Sequence, residues 1–152
     1  MIAALSPLLE AGRIKVYSVD SIAGRAWIDD GRPRHCSWLQ NAFDSAVYHE
    51  VLPAIRADCR SSSIEVITAG ASIGAFNAIA FLCRHPDAVR AGIGMSGTYD
   101  IEKWLHGQFN QDFYFSAPMC FLPGLDGPLL HQLQQRFAII AYGQGRWESP
   151  DQ

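Results

Sequence analysis

Ile64-Glu65-Val66-Ile67-Thr68-Ala69-Gly70-Ala71-Ser72-Ile73-Gly74 is the stretch whose reading decides the fold. Its first six residues form a largely apolar, β-branched run. Two glycines then bracket Ser72, and Ala75-Phe-Asn-Ala-Ile-Ala-Phe-Leu-Cys83 follows with the look of a helix. Strand, sharp turn, helix is the setting of a nucleophile elbow, in which a serine is pushed out of a strained turn. Side chains at the flanking positions are expected to collide within such a turn, and glycine removes the collision. The start of the following helix offers unpaired N–H groups and a partial positive charge to an oxyanion. Ser72 is therefore read as a nucleophile.

Outward from the elbow, the pattern alternates between strands and helices. Strand candidates are Ile14–Val19, Ile64–Ala69, Ala91–Ser96 and Phe137–Tyr142. All but the first are nearly continuous apolar runs, as in a parallel sheet covered on both faces. Phe43, Val47, Val51 and Ile55 make one apolar stripe at helical spacing, and Pro53 inside it predicts a kink. A second helix runs from Ile73 to Arg84 and stops at His85-Pro86, because proline cannot continue it. A short helix over Leu5–Glu10 ends at Gly12, a C′ glycine, and another spans Pro128–Gln135. The expected fold is α/β, with a mostly parallel sheet of about four strands flanked by helices, in a single domain over 1–152. The aromatic stretch Trp104–Leu125 reads as a long irregular connection, which either walls a pocket or packs as core. As an alternative, Trp27 and Trp38 would lie exposed where a strand of the sheet is missing.

Composition bounds the function. The chain has 152 residues, 49% hydrophobic and only 18% charged, with a net charge of −3, so much of it is interior. Arg and Lys are scattered, with no basic stripe for nucleic acid. Cys36, Cys59, Cys83 and Cys120 are far apart and contain no C-x-x-C pair. They predict free thiols, no metal site and a reducing, cytoplasmic setting. The first ten residues lack the positive n-region of a signal peptide, and no apolar run approaches the ~18 residues of a membrane span. A phosphate cradle at Gly70–Gly74 is excluded by Ala75-Phe76, where a P-loop has Lys-Ser/Thr.

Further motifs stand in order with the elbow: Gly12-Arg-Ile-Lys-Val-Tyr-Ser-Val-Asp-Ser21, Val51-Leu-Pro-Ala-Ile55, Arg84-His-Pro-Asp87 and Met95-Ser-Gly-Thr-Tyr-Asp100. With Gly70-Ala-Ser-Ile-Gly-Ala75 they make the chain resemble the esterase-D-like family of α/β-hydrolases over most of its length. The resemblance implies a serine carboxylic-ester hydrolase acting through an acyl-enzyme, with no cofactor. Ser72 would be the nucleophile and the N–H of Ile73 an oxyanion donor. The family's acid loop falls on Tyr142-Gly-Gln-Gly-Arg-Trp-Glu148, which makes Glu148 the candidate acid. Asp100, at the end of the third strand candidate, is the alternative, and it also reads as a turn or N-cap carboxylate.

The family order is serine, acid, histidine. Here no histidine follows Glu148, and only about a dozen residues precede the segment that resembles Arg13–Asp20. The expectation is a partial α/β-hydrolase domain, truncated at both ends. It lacks the strand that lies, in the hydrolase sheet, between the first two candidates; without it the first strand must close up or leave a gap. Of the five histidines, His85 suits a helix C-terminus and His49 a solvated face, while His35 suggests no role. His106 and His131 flank the aromatic stretch as substitute bases. Two functions stay open: hydrolysis of a small-molecule ester, or a catalytically incomplete hydrolase domain acting as a binding or assembly module. The second would self-associate through an uncovered sheet edge.

Overall fold

A computed structural model describes residues 2–29 and 31–145. The chain is α/β. Three parallel strands, β1 (Ile67–Ala71), β2 (Ala91–Met95) and β3 (Phe137–Ala141), pair in the order β1-β2-β3. The register aligns Ile67, Ala91 and Phe137 in one row and Ala71, Met95 and Ala141 in another. Three of the four strand candidates are therefore strands, although the second begins three residues later than its apolar run.

The first candidate, Ile14–Val19, is extended but pairs with nothing in the sheet. Among the described residues no backbone hydrogen bond joins it to β1. Side chains hold it instead. Lys15 Nζ lies 2.7 Å from Asp58 Oδ2, the Tyr17 hydroxyl donates to the same carboxylate, and the Tyr17 oxygen is 3.4 Å from Cys59 Sγ. Lys15 and Tyr17 together hold the Asp58 carboxyl below its ordinary pKa. A strand is defined by its neighbour, and a β-branched run without one stays irregular. The segment therefore does not close up against β1 as a strand.

The helices follow local signals. Helix α1 (Ile2–Glu10) closes in a Schellman motif: Gly12, at φ +63°, donates to Leu9 O, and Arg13 donates to Leu8 O. The stripe through Phe43–Ile55 is one long rod made of α3 (Pro33–Ala46), a π-turn (Val47–Val51) and α4 (Leu52–Asp58). In the π-turn Leu52 N–H bonds to Val47 O. This π-turn lies just before Pro53, whose ring cannot sit against the preceding turn of a regular helix. Helix α5 (Ile73–Arg84) ends where His85-Pro86 predicts.

The stretch Trp104–Leu125 is not irregular. It folds as a 3₁₀ turn (Glu102–Leu105), α6 (Gln111–Ser116), α7 (Pro118–Phe121) and another 3₁₀ turn (Leu122–Gly124), before α8 (Gly127–Leu133). Asn110 caps α6 by accepting from Phe113 N–H at 3.0 Å. Phe113 is buried among Trp27, Phe76, Ile101 and Leu105, whereas Phe109 and Phe115 are exposed. Trp27 is thus core, against the exposed alternative, and Trp38 lies exposed, in line with it. Helix α2 (Ile22–Asp29), which carries Trp27, was not foreseen.

Packing is one-sided. Helix α5 lies across the even-numbered face of β1 and β2, and no other element packs on the sheet to a comparable extent. The rod α3–α4 covers the far side of α5, with Leu52 against Phe81, Leu82 and Val89. The Asp44 carboxylate, buried in the rod, accepts from His85 Nε2 at 2.7 Å and lies 3.5 Å from Arg84 Nη2. Tyr48 stacks on the His85 ring at 4.2 Å. All four cysteines are free thiols, and burial pushes the Cys83 thiol up to about 11. No described helix is long and apolar enough to cross a membrane.

Asp44→Ala strips two cationic or hydrogen-bonding partners of their buried carboxylate, and is expected to cost about 3 kcal/mol. Urea denaturation measures this as a lower midpoint, and an unchanged midpoint would remove Asp44 from the packing.

Candidate active site

Ser72 stands between the end of β1 and the first turn of α5 with φ +55° and ψ −127°. That backbone is uncommon for a residue with a Cβ and costs of order 1–3 kcal/mol, so the surroundings must impose it. Its own N–H donates to Met95 O at 3.0 Å, which ties it to the end of β2. Its carbonyl accepts from Ala75 N–H at 2.9 Å, which starts the helix. The side chain is exposed. Among the described residues the N–H groups of Ile73 and Gly74 have no acceptor. They are first-turn donors at the positive end of α5, as an oxyanion would require.

The two glycines are not equivalent. A Cβ on Gly70 would fall 2.0 Å from the carbonyl oxygen of Gly74 and 2.9 Å from Ala75 N, both backbone atoms. Only glycine fits there. A Cβ on Gly74 would meet nothing within 4 Å. The collision expected at both flanking positions occurs at one of them, because no described group occupies the space beyond Gly74.

A network missed in the sequence reading fixes the wall beside this turn. Gln40 Nε2 donates to Asn77 Oδ1 at 2.8 Å, and Asn77 Nδ2 donates to Ser21 Oγ at 2.9 Å. Ser21 Oγ also accepts from Gly24 N–H at 3.0 Å, capping α2. Gly24 in turn lies against Ile73, leaving only 3.1 Å between its would-be Cβ and Ile73 Cγ2. The rod, α2 and the elbow helix are thereby locked together one residue from Ser72. The available signal was Ser21 three residues before Gly24, the spacing of an N-cap to N3 bond.

No described histidine is hydrogen-bonded to Ser72 Oγ, and that oxygen has no partner among the described residues. His85 lies at the opposite end of α5, about 18 Å along the helix axis, with its ring committed to Asp44 and Tyr48. His49 packs edge-on to Tyr48, and His35 stacks on Trp38. His131 is exposed on α8, and His106 is exposed at φ +48°. Asp100 Oδ1 accepts from Glu102 N–H at 3.0 Å, the turn-carboxylate arrangement. Glu148 lies outside the described residues. The structure thus brings together Ser72 and the Ile73 donor, but among the described residues no acid and no histidine beside them.

Two concavities lie apart from Ser72. One, of about 320 Å³, is lined by Trp27, Arg32, Cys36, Trp104 and His106. Trp27 and Trp104 stack there at 6.1 Å. The other, of about 660 Å³, is the groove between Val16–Val19 and the Val51–Ile55 face of the rod. The aromatic stretch therefore contributes both core, through Phe113, and cavity wall, through Trp104.

Comparison of the chain with protein-family models, with curated proteins and with solved structures returned no match. The site is thus judged on its own geometry. Gly70→Ala is expected to destabilise the fold by about 1–3 kcal/mol or prevent it, since backbone must move, while Gly74→Ala is expected to shift the melting temperature little. Thermal denaturation of the two variants compares them, and equal melting temperatures would contradict the close approach.

Proposed function

We propose that this chain is a serine carboxylic-ester hydrolase of the α/β-hydrolase type, in which Ser72 attacks a small-molecule ester. The observation that carries this reading is the Ser72 backbone: a positive-φ serine between strand and helix, beside two N–H donors without an acceptor among the described residues. Ser72 Oγ would bond to the carbonyl carbon, the C–O bond to the alcohol would break, and the alcohol would leave with the serine proton. Water would then cleave the acyl-enzyme and return the proton to Ser72. The negative oxygen formed in each step would face the N–H of Ile73, a type of contact worth about 100- to 1,000-fold in rate. Glu148, with Asp100 as alternative, is the acid in this reading. The base comes from outside the described constellation, with His106 and His131 the substitutes named by sequence. No cofactor is called for by this chemistry. Four free thiols suit the reducing cytoplasm, the location proposed with it.

A second reading is favoured by a specific observation, the absence of a histidine beside Ser72 among the described residues. In that reading the chain is a catalytically incomplete hydrolase domain that serves in assembly. Both edges of the three-stranded sheet are open among the described residues, and open edges pair with other strands. Neither reading involves nucleic acid or a membrane as partner.

A fluorophosphonate probe separates the two. The hydrolase reading expects labelling of the wild type at Ser72, none in Ser72→Ala, and turnover of a short p-nitrophenyl ester that falls to background in the same variant. A folded wild type that takes no label and turns over no ester would leave the assembly reading standing alone.

A further inference from the structure

On the even-numbered face α5 covers β1 and β2, while Ile140 of β3 is 56% exposed. Thr68 Oγ1 donates to Ala78 O at 2.9 Å, and a Cβ on Gly92 would meet Leu82 and Ile79. The odd-numbered face has no such cover among the described residues. It carries nine side chains in three rows set by the register: Ile67, Ala91 and Phe137; Ala69, Ile93 and Ile139; Ala71, Met95 and Ala141. None is polar or charged. Ile67, Phe137 and Ile139 are 59%, 64% and 43% exposed. Parallel sheets are ordinarily covered on both faces, and an uncovered apolar patch marks an interaction surface.

The distribution of sizes says what fits. A two-fold axis in the plane of the face, crossing the strands through Ile93, brings the first row of one copy onto the third row of another. Ile67 then meets Ala71, Phe137 meets Ala141, and Met95 meets Ala91 of the second copy. Every large side chain in the outer rows faces an alanine. In the middle row Ile93 and Ile139 meet their own equivalents beside a pair of Ala69. With no charge on the face, nothing repels a second copy. Sheets pack face to face in this way about 10 Å apart, with inner side chains interdigitated.

We propose that the odd-numbered sheet face is a self-complementary docking surface for a second copy of this chain, giving a two-fold dimer of face-packed sheets. The proposal deepens the assembly reading above by assigning the contact to the face rather than to an open edge, and it is independent of catalysis by Ser72. Three strands of five residues offer a footprint of roughly 240 Å², below the ~800 Å² per partner of standard stable complexes. The dimer is therefore concentration-dependent rather than obligate.

Sedimentation velocity on the 152-residue chain, over a dilution series reaching ~1 mM to capture weak association, tests this. The expected result is a monomer–dimer equilibrium in the wild type and a monomer in Ile93→Asp, with matching circular dichroism. Ile93→Cys places a thiol on the axis. Sheets about 10 Å apart are too far for a direct disulfide, so a short bis-maleimide linker is used; it is expected to join Ile93→Cys into a dimer beyond the level of the wild type with its native cysteines, and not Ile140→Cys, on the other face of β3. A wild type that stays monomeric throughout overturns both the assembly reading and the face assignment. A wild-type dimer that persists in Ile93→Asp, with no cross-link through Ile93→Cys, overturns the face assignment alone and returns the contact to an edge.

Discussion

The structure depends on how closely α5 lies on the sheet. Gly70 approaches the Gly74 carbonyl so tightly that no side chain fits between them. At Gly92 of β2 a Cβ would crowd the Leu82 and Ile79 side chains at 3.1 and 3.2 Å, and at Gly94 it would overlap the Tyr99 hydroxyl. The glycines of the even-numbered face thus leave room for this helix or for the Tyr99 ring beside it. That contact fixes the angle at which the chain leaves β1, and the angle drives Ser72 to positive φ. The cost of the strained residue is offset by burial of Phe76, Ile79, Ala80, Phe81 and Leu82 along α5. Strain at one residue is thus supported by the packing of a whole helix, as is usual where a backbone is held for function.

The same closeness explains what could be read from the sequence. β1, α5, β2 and β3 were legible because their apolar runs and glycines are demanded by mutual contact within a single unit. Gly12 and Pro86 were legible because each acts on its own few neighbours. Ile14–Val19 was not, since its pattern matches a strand and the missing quantity was a partner for its backbone. The short helices of Trp104–Leu125 were hidden for a different reason. Each is about one or two turns, too brief for an apolar period to show, and each is set by a local cap or proline such as Asn110, Pro118 and Pro123. Trp27 was misplaced because α2 itself was missed, and its burial follows from the Ser21 cap that turns the helix onto Ile73.

The candidate site divides along the same line. Ser72 and the Ile73 donor belong to the β1–α5 unit and were legible together with it. An acid and a base for Ser72 would have to come from elements distant in sequence, and no local pattern specifies them. His85 illustrates the hazard of choosing a base from the sequence: it ends the elbow helix, yet the length of that helix holds it away from Ser72 and against Asp44. One face of the sheet is built to hold the elbow, and the other is left apolar and open. The proposed chemistry rests on the first and the proposed association on the second, and the two are carried by alternate residues of the same strands.

The central claim is that the packing of α5 on β1 presents Ser72 as an activated nucleophile beside the Ile73 N–H. A crystal structure of the chain after reaction with a small organophosphonate tests it most directly. The account predicts continuous density from Ser72 Oγ to phosphorus, a phosphonyl oxygen within hydrogen-bond distance of Ile73 N, and a positive φ at Ser72. An unmodified Ser72 with ordinary negative φ would contradict it.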